Sequence, residues 1–374
     1  MAGIYIHIPF CGQLCNYCDF YFTVSLAQKD EIVSLLHMEL EERCGYLDGE
    51  AVTTLYFGGG TPSLLSPEEI EGLVDKVKSL FGVTEFEEVT LEANPEDLTE
   101  DYLERLAGTG VDRLSIGVQS FCDSHLSFFN RRHDGETARN SILNAKKAGF
   151  RNITVDLIYG VPQMSMAEWG RNLDTFLELG LPHLSAYHLT IEPQTIFGKR
   201  AEKGKLNPVA DEVSEAHYGL LEEKLSAAGF AHYEVSNFAR PGFEGIHNGN
   251  YWKGKKYLGI GPSAHSFDGK SRRWNVRSNP LYIRNFSAGE YFESETLSRK
   301  DRFNEYMMTR LRTAKGVSLD EINTLFGAER ATEVKKISRK FLDNGTIIER
   351  EGMLFIPPVS FLQSDYVIGE FFWI

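Results

Sequence analysis

The chain has little that would take it across a membrane, onto a nucleic acid or into an oxidising compartment. No stretch of its 374 residues approaches the ~18–20 consecutive apolar residues that span a bilayer. The N-terminal MAGIYIHIPFC lacks a basic segment ahead of a hydrophobic one, so it does not read as a secretory leader. Positive charge is in deficit. The 39 Lys and Arg against 53 Asp and Glu leave a net charge of −14, which argues against a nucleic-acid partner, because phosphate binding needs concentrated cations. Cysteine is scarce as well: five in all, an odd number, do not make a disulfide framework in a chain of this length. Low-complexity segments are absent. The expectation is a cytoplasmic globular protein of about two domains. Its apolar tail, Phe371–Ile374, offers peripheral membrane or partner contact but is too short to anchor alone.

What is present is a rhythm. Strand-like segments at Gly3–Ile8, Val52–Phe57, Glu88–Glu92, Arg113–Val118, Ile153–Ile158 and His183–Leu189 alternate with helical ones at Glu31–Arg43, Pro67–Leu80, Thr99–Ala107, Glu136–Ala148 and Ala167–Leu179. Such alternation implies parallel βα units with right-handed crossovers. Six units predict an α/β fold, an open (β/α)6 partial TIM barrel over residues 1–193. Residues 194–297 are loop-rich, aromatic and glycine-rich around one helix, and read as an extension of the barrel. Residues 298–374 carry three helices and a hairpin turning at Glu351-Gly352, a C-terminal α+β domain of winged-helix type.

Three of the five cysteines, Cys11, Cys15 and Cys18, fall together just after the first strand. Loops at the C-terminal strand ends build the active site of a βα scaffold. Three thiolates on one such loop can hold three irons of a cubane cluster and leave one iron open. Zinc held by the three cysteines and a histidine such as His7 is the alternative. Later strand ends add polar groups. Gly58-Gly59-Gly60-Thr61-Pro62 lets backbone amides approach a ligand, and Glu92 in Leu91-Glu92-Ala93-Asn94-Pro95 can accept from ribose hydroxyls. Gln119, Arg131 and Asp156 follow on successive units. Each has a plain structural reading, as a tight turn, a cap, a solvated cation or a paired carboxylate. Their recurrence at successive strand ends argues for a site.

The run Tyr5-Ile-His7-Ile-Pro9-Phe10-Cys11-Gly-Gln-Leu-Cys15-Asn-Tyr-Cys18 resembles the signature of the radical S-adenosylmethionine (SAM) superfamily. The resemblance implies a [4Fe–4S] cluster on Cys11, Cys15 and Cys18, whose open iron binds the methionine part of SAM. The other segments resemble the branch that contains oxygen-independent coproporphyrinogen III oxidase and the HemW-type haem chaperones. By that resemblance Tyr5, Gly59, Gly60, Thr61, Glu92, Gln119, Arg131 and Asp156 line the SAM site. The oxidase pattern adds a fourth cysteine two residues after the third, where this chain has Phe20, and a long N-terminal extension ahead of the motif. Both departures count against porphyrinogen decarboxylation.

His247-Asn-Gly-Asn-Tyr251-Trp252 matches the HNxxYW motif associated with the chaperone type. Imidazole is a common axial ligand of haem iron, and the two aromatics offer flat faces to a porphyrin. The resemblance therefore implies haem as cargo within residues 194–297, with His247 as ligand and Tyr251 and Trp252 beside it. His265, in Gly259-Ile-Gly-Pro-Ser-Ala-His265, is a second candidate ligand. The expected partners are haem and haem-accepting proteins such as membrane-bound respiratory enzymes, and a homodimer is compatible with the reading. The rival is the oxidase, or another radical reaction on a tetrapyrrole.

Overall fold

The computed structural model describes residues 1–374. Six parallel strands form its centre: β1 (Ala2–Ile8), β2 (Val52–Gly59), β3 (Glu88–Ala93), β4 (Arg113–Gln119), β5 (Asn152–Tyr159) and β6 (His183–His188), in sequential order. Between them run α1 (Lys29–Glu42), α2 (Pro67–Phe81), α3 (Glu100–Leu106), α4 (Asp123–Phe129), α5 (Gly135–Lys147) and α6 (Met166–Glu178). The helix starts follow local chemistry. Ser66 caps α2 in a reciprocal box with Glu69, and Ser165 caps α6 with Glu168, so the first free amides of each helix find oxygen. Side chains alternate across the strands. Ile4, Ile6, Leu55, Phe57, Leu91 and Leu114 join one apolar core with the helices. The other face of the strands is polar, with Thr54, Tyr56, Glu88, Glu92, Arg113, Thr154 and His183 in contact with one another or with the motifs below.

The sheet remains open, as the six-unit count predicts, but it does not stop at six strands. After α7 (Ile196–Glu202) and α8 (Asp211–Ala227), β7 (Ala231–Glu234) and β8 (Asn237–Ala239) form a hairpin whose second strand, β8, pairs antiparallel with β6. The chain then passes through α9 (Ile246–Trp252) to the opposite edge. There β9 (Tyr257–Ile260) pairs in parallel with β1, followed by antiparallel β10 (His265–Phe267), β11 (Ser271–Asn275) and, after α10 (Asn279–Phe286), β12 (Phe292–Thr296). Residues 194–297 thus supply both margins of one twelve-stranded sheet. The seven-residue helices α4, α7 and α9 have no counterpart among the expected elements, and α9 turns the HNxxYW motif from an expected loop into a helix.

The C-terminal domain comprises α11 (Arg299–Arg310), β13 (Val317–Ser318), α12 (Leu319–Phe326), α13 (Ala328–Asp343), the hairpin of β14 (Ile348–Arg350) and β15 (Met353–Phe355), and α14 (Ser364–Glu370). It spans the seam of the open barrel. On one side Val235 N donates to Arg312 O (2.9 Å) and Ala314 N to Tyr233 O (3.0 Å). On the other, Arg272 Nε donates to Glu305 Oε1 at 2.8 Å. The tail folds onto this domain, with Trp373 exchanging hydrogen bonds with Asn304 and lying under Arg330; only Ile374 is fully exposed.

One buried carboxylate fastens the β9–β11 margin to the barrel. Glu39 of α1 is fully buried and accepts from Gly261 N (2.7 Å), Asn275 Nδ2 (2.8 Å), Tyr282 OH (2.7 Å) and Arg43 Nη1 (3.1 Å). Glu39→Ala leaves the buried Arg43 charge and three donors without their acceptor. The expected loss is about 3–5 kcal/mol of unfolding free energy, measured by chemical denaturation.

Candidate functional site

The loop after β1 crosses the C-terminal ends of the strands and is fastened at several points. Cys11 N donates to Thr23 O (3.0 Å) and Thr23 N to Pro9 O (2.9 Å), making a narrow neck. Asn16 reaches α4 through its amide N to Phe129 O (3.0 Å) and Nδ2 to Phe128 O (2.7 Å). Gln13 donates to Asn130 O and Asn130 to Leu14 O, both at 2.7 Å. So held, Cys11, Cys15 and Cys18 line one cavity of about 470 Å³ together with Gly59, Gly60, Thr61, Glu92, Gln119, Arg131 and Asp156. Cys44 and Cys122 lie outside it.

The thiols have polar company. Thr61 Oγ1 donates to Cys11 Sγ and Arg131 Nη1 to Cys15 Sγ, each at 3.4 Å. Burial pushes the Cys11 thiol up to about 12 and that of Cys18 up to about 11. Three partly buried thiols gathered beside a guanidinium are a donor set that a metal centre would complete, since coordination supplies the positive charge that thiolates need. Arg131 Nη2 also donates to Asn94 Oδ1 (2.6 Å) and Gly117 O (2.7 Å), while its buried Nε has no partner.

The carboxyls stand opposite. Tyr56 OH donates to Glu92 Oε1 at 2.8 Å and Gly59 N to Oε2 at 3.1 Å, yet burial, reinforced by Asp156, pushes Glu92 up to about 7. Burial likewise raises Asp156 to about 6, against the opposing pull of Ser185, Arg113 and Arg131. Gln119 takes a φ of +66° at the end of β4, beside an irregularity in its pairing with β5. Non-glycine residues rarely adopt that backbone, and such strain concentrates at functional sites. The glycines of the second strand end are needed sterically. At Gly59, with φ of +109°, a Cβ would lie 2.5 Å from the His7 ring, and at Gly60 one would lie 2.4 Å from Phe10 O. They bring β2 against the neck of the cysteine loop.

Two expectations need correction. Tyr5 does not line this cavity. Its ring stacks on Tyr56 (6.0 Å), its OH pairs with His7 Nδ1 (3.0 Å), and it faces a second, larger cavity of about 860 Å³. It is linked to Glu92 only through Tyr56. His247 is not an open ligand either. It lies at the N-terminal end of the barrel, where its own amide and that of Ile246 donate to the Glu88 carboxylate (3.0 and 2.8 Å). Its ring is buried, with Nδ1 2.8 Å from Thr54 Oγ1 and Nε2 2.9 Å from Tyr251 OH. Burial and the nearby Arg113 charge hold it down to about 3, so it is neutral with both nitrogens committed. Tyr251 and Trp252, in contrast, line the larger cavity. Sequence reasoning missed Asn94, which donates to Thr61 Oγ1 (3.2 Å) and accepts from Arg131; its place two residues after Glu92 at a strand end was the available signal.

Comparison with known proteins agrees with this architecture. Residues 5–176 match the model of the radical SAM superfamily, and residues 297–358 that of the HemN C-terminal domain. The chain is 35% identical to the "Heme chaperone HemW" of Lactococcus lactis, over 91% of this chain and 90% of that one. It is 32% identical to that of Bacillus subtilis over 99% of both. The chain belongs to the HemW family. Against the Escherichia coli protein of the same name the identity is 37%, covering 83% of this chain and 82% of that one. Among solved structures, coproporphyrinogen III oxidase (HemN) from Escherichia coli superposes with a TM-score of 0.85 at 23% identity, over 99% of this chain and 90% of that one, which shows a shared fold.

The radical SAM scaffold implies a [4Fe–4S] cluster and SAM, and the residues present fit them. Three thiols face one cavity, with a guanidinium, a hydroxyl donor and two poised carboxyls around it. Replacing Cys11, Cys15 or Cys18 by Ala should abolish bound iron and the visible absorbance of the anaerobically reconstituted protein. Cys44→Ala and Cys122→Ala should leave both unchanged.

Proposed function

We propose that this protein is a haem chaperone on a radical SAM scaffold, binding haem and passing it to haem-dependent proteins. The observation that carries the reading is its relation to haem chaperones at 32–37% identity over 83–99% of the chain. Position 20 supports it. Where the oxidase pattern has a fourth cysteine, Phe20 stands 73% exposed between the two cavities and lines both. Haem-accepting respiratory enzymes and a homodimer belong to the same reading. No helix is long and apolar enough to cross a membrane, so contact with a membrane-bound acceptor would occur at the surface.

Within this reading Cys11, Cys15 and Cys18 hold the cluster. Gly59, Gly60, Thr61, Glu92, Gln119, Arg131 and Asp156 surround SAM, with Tyr5 behind Tyr56. The cluster supplies the open iron that would fix the methionine end of SAM. Glu92 serves as the ribose acceptor, and Tyr56 and Gly59 aim its two oxygens. SAM then has a structural or gating part in haem handling.

The decisive test is transfer. Anaerobic haem titration of the cluster-loaded protein should give saturable, stoichiometric binding, and the loaded protein should pass haem to an apo-haemoprotein without turning over coproporphyrinogen. Porphyrinogen decarboxylation, or absence of haem uptake, would overturn the reading. A second expectation concerns pH. A carboxyl that stays protonated up to about 7 must lose its proton before both oxygens can accept hydroxyls, so SAM binding releases a proton. Affinity should rise by up to about tenfold per pH unit below that value and level off above it. Glu92→Gln should bind more weakly and lose the slope, read by equilibrium dialysis between pH 6 and 8.5.

A further inference from the structure

The chaperone reading requires a seat for a flat, largely apolar macrocycle that carries two carboxylates and a central iron. The larger cavity has those properties. It lies between the inner face of β1 and β9–β11 and the C-terminal helices α11 and α12, and its volume of about 860 Å³ is in the upper range of ligand clefts. Tyr251, Trp252, Tyr257, Phe267 and Tyr306 give it aromatic walls. Its charge runs against that of the whole molecule. Six cations and three carboxylates line it, in a chain with a net charge of −14. Arg272, Arg277 and Arg310 are paired with Glu305, Asp19 and Glu321. Lys253, Lys255 and Arg302 are exposed and form no ion pair, leaving them free for carboxylates of a ligand.

Iron needs an imidazole nitrogen with a free lone pair, and two histidines line this cavity. His7 has none to give, since Nδ1 pairs with Tyr5 OH (3.0 Å) and Nε2 with Tyr21 O (3.1 Å). His247 is outside the wall and committed at both nitrogens. His265 differs. It is exposed at the start of β10, its ring nitrogens make no hydrogen bond, and it stacks on Trp274 across the β10–β11 pair (6.2 Å between centroids, 26° between planes). A strand residue with its ring steadied on one face is better placed to hold a metal than one on a mobile loop.

We propose that haem is seated in this cavity with His265 as its iron ligand and with Arg302, Lys253 and Lys255 as partners for the propionates. The proposal rests on the chaperone reading. It also places the cargo beside the cluster loop, because Asp19 and Phe20 line both cavities.

The test uses full-length, cluster-loaded protein titrated anaerobically with ferric protoporphyrin IX and, separately, with metal-free protoporphyrin IX. His265→Ala should lose the histidine-ligated Soret and resonance Raman signature and weaken haem binding at least tenfold. It should keep its affinity for the metal-free porphyrin, because the cavity walls are intact. In His265→Gly, added imidazole should restore the signature. Arg302→Glu should weaken both porphyrins. An unchanged haem spectrum in His265→Ala, or loss of the signature in His247→Ala but not in His265→Ala, would overturn the ligand assignment while leaving the chaperone reading intact. Failure of the wild-type protein to take up haem would overturn both.

Discussion

An open parallel sheet leaves two unpaired edges, and the rest of this molecule is organised by the need to satisfy them. A row of free amides and carbonyls along the outer edge of β1, and another along that of β6, would be both costly and an invitation to aggregation. The chain answers by sending its middle segment to each edge in turn, β8 onto β6 and β9 onto β1, before the C-terminal domain bridges the seam. A closed eight-unit barrel would need none of this, but it would also fill its interior with side chains. The open form keeps space on its concave face, and that space is divided between two cavities that meet at Asp19 and Phe20.

The polar lining of the strands has a consequence for electrostatics. Glu92 and Asp156 are surrounded by low-dielectric walls, and burial raises both into the range where a ligand can decide their protonation. Buried imidazoles respond in the opposite sense. His7 is held down to about 4 and His247 to about 3, chiefly by burial. These rings act as neutral hydrogen-bonding struts that join β1 to the cysteine loop and α9 to the barrel floor. The buried Glu39 network performs the corresponding task at the β9–β11 margin, where it anchors the strands that carry the larger cavity.

Much of the fold was legible from local signals. Apolar strands followed by amphipathic helices, with Ser66 and Glu69 marking one helix start, are enough to count six βα units and to place the cysteine loop at their C-terminal ends. The short helices α4, α7 and α9 were not legible: seven residues give barely two turns of periodicity, and α3, of the same length, could be placed because Thr99 caps it and a strand stands on either side. Nor was the fate of residues 194–297. Strands of three to five residues look like loop until the long-range partners that hold them are known.

The sequence by itself determined the chemistry that depends on chain proximity: three thiols within eight residues, polar groups at successive strand ends, and a βα rhythm that puts them on one face. Only the tertiary structure decided which side chains have atoms to spare. Tyr5 is contiguous with the cysteine motif yet turns toward the other cavity, because alternate residues of β1 point inward and Tyr56 lies between it and Glu92. His247 carries the most suggestive motif in the second half of the chain, but Thr54 and Tyr251 take both its nitrogens. His265 has no comparable motif and keeps both of its own free, since no donor or acceptor from another strand reaches its ring. A motif names residue types; which lone pairs remain open depends on neighbours distant in the chain, and folding supplies those.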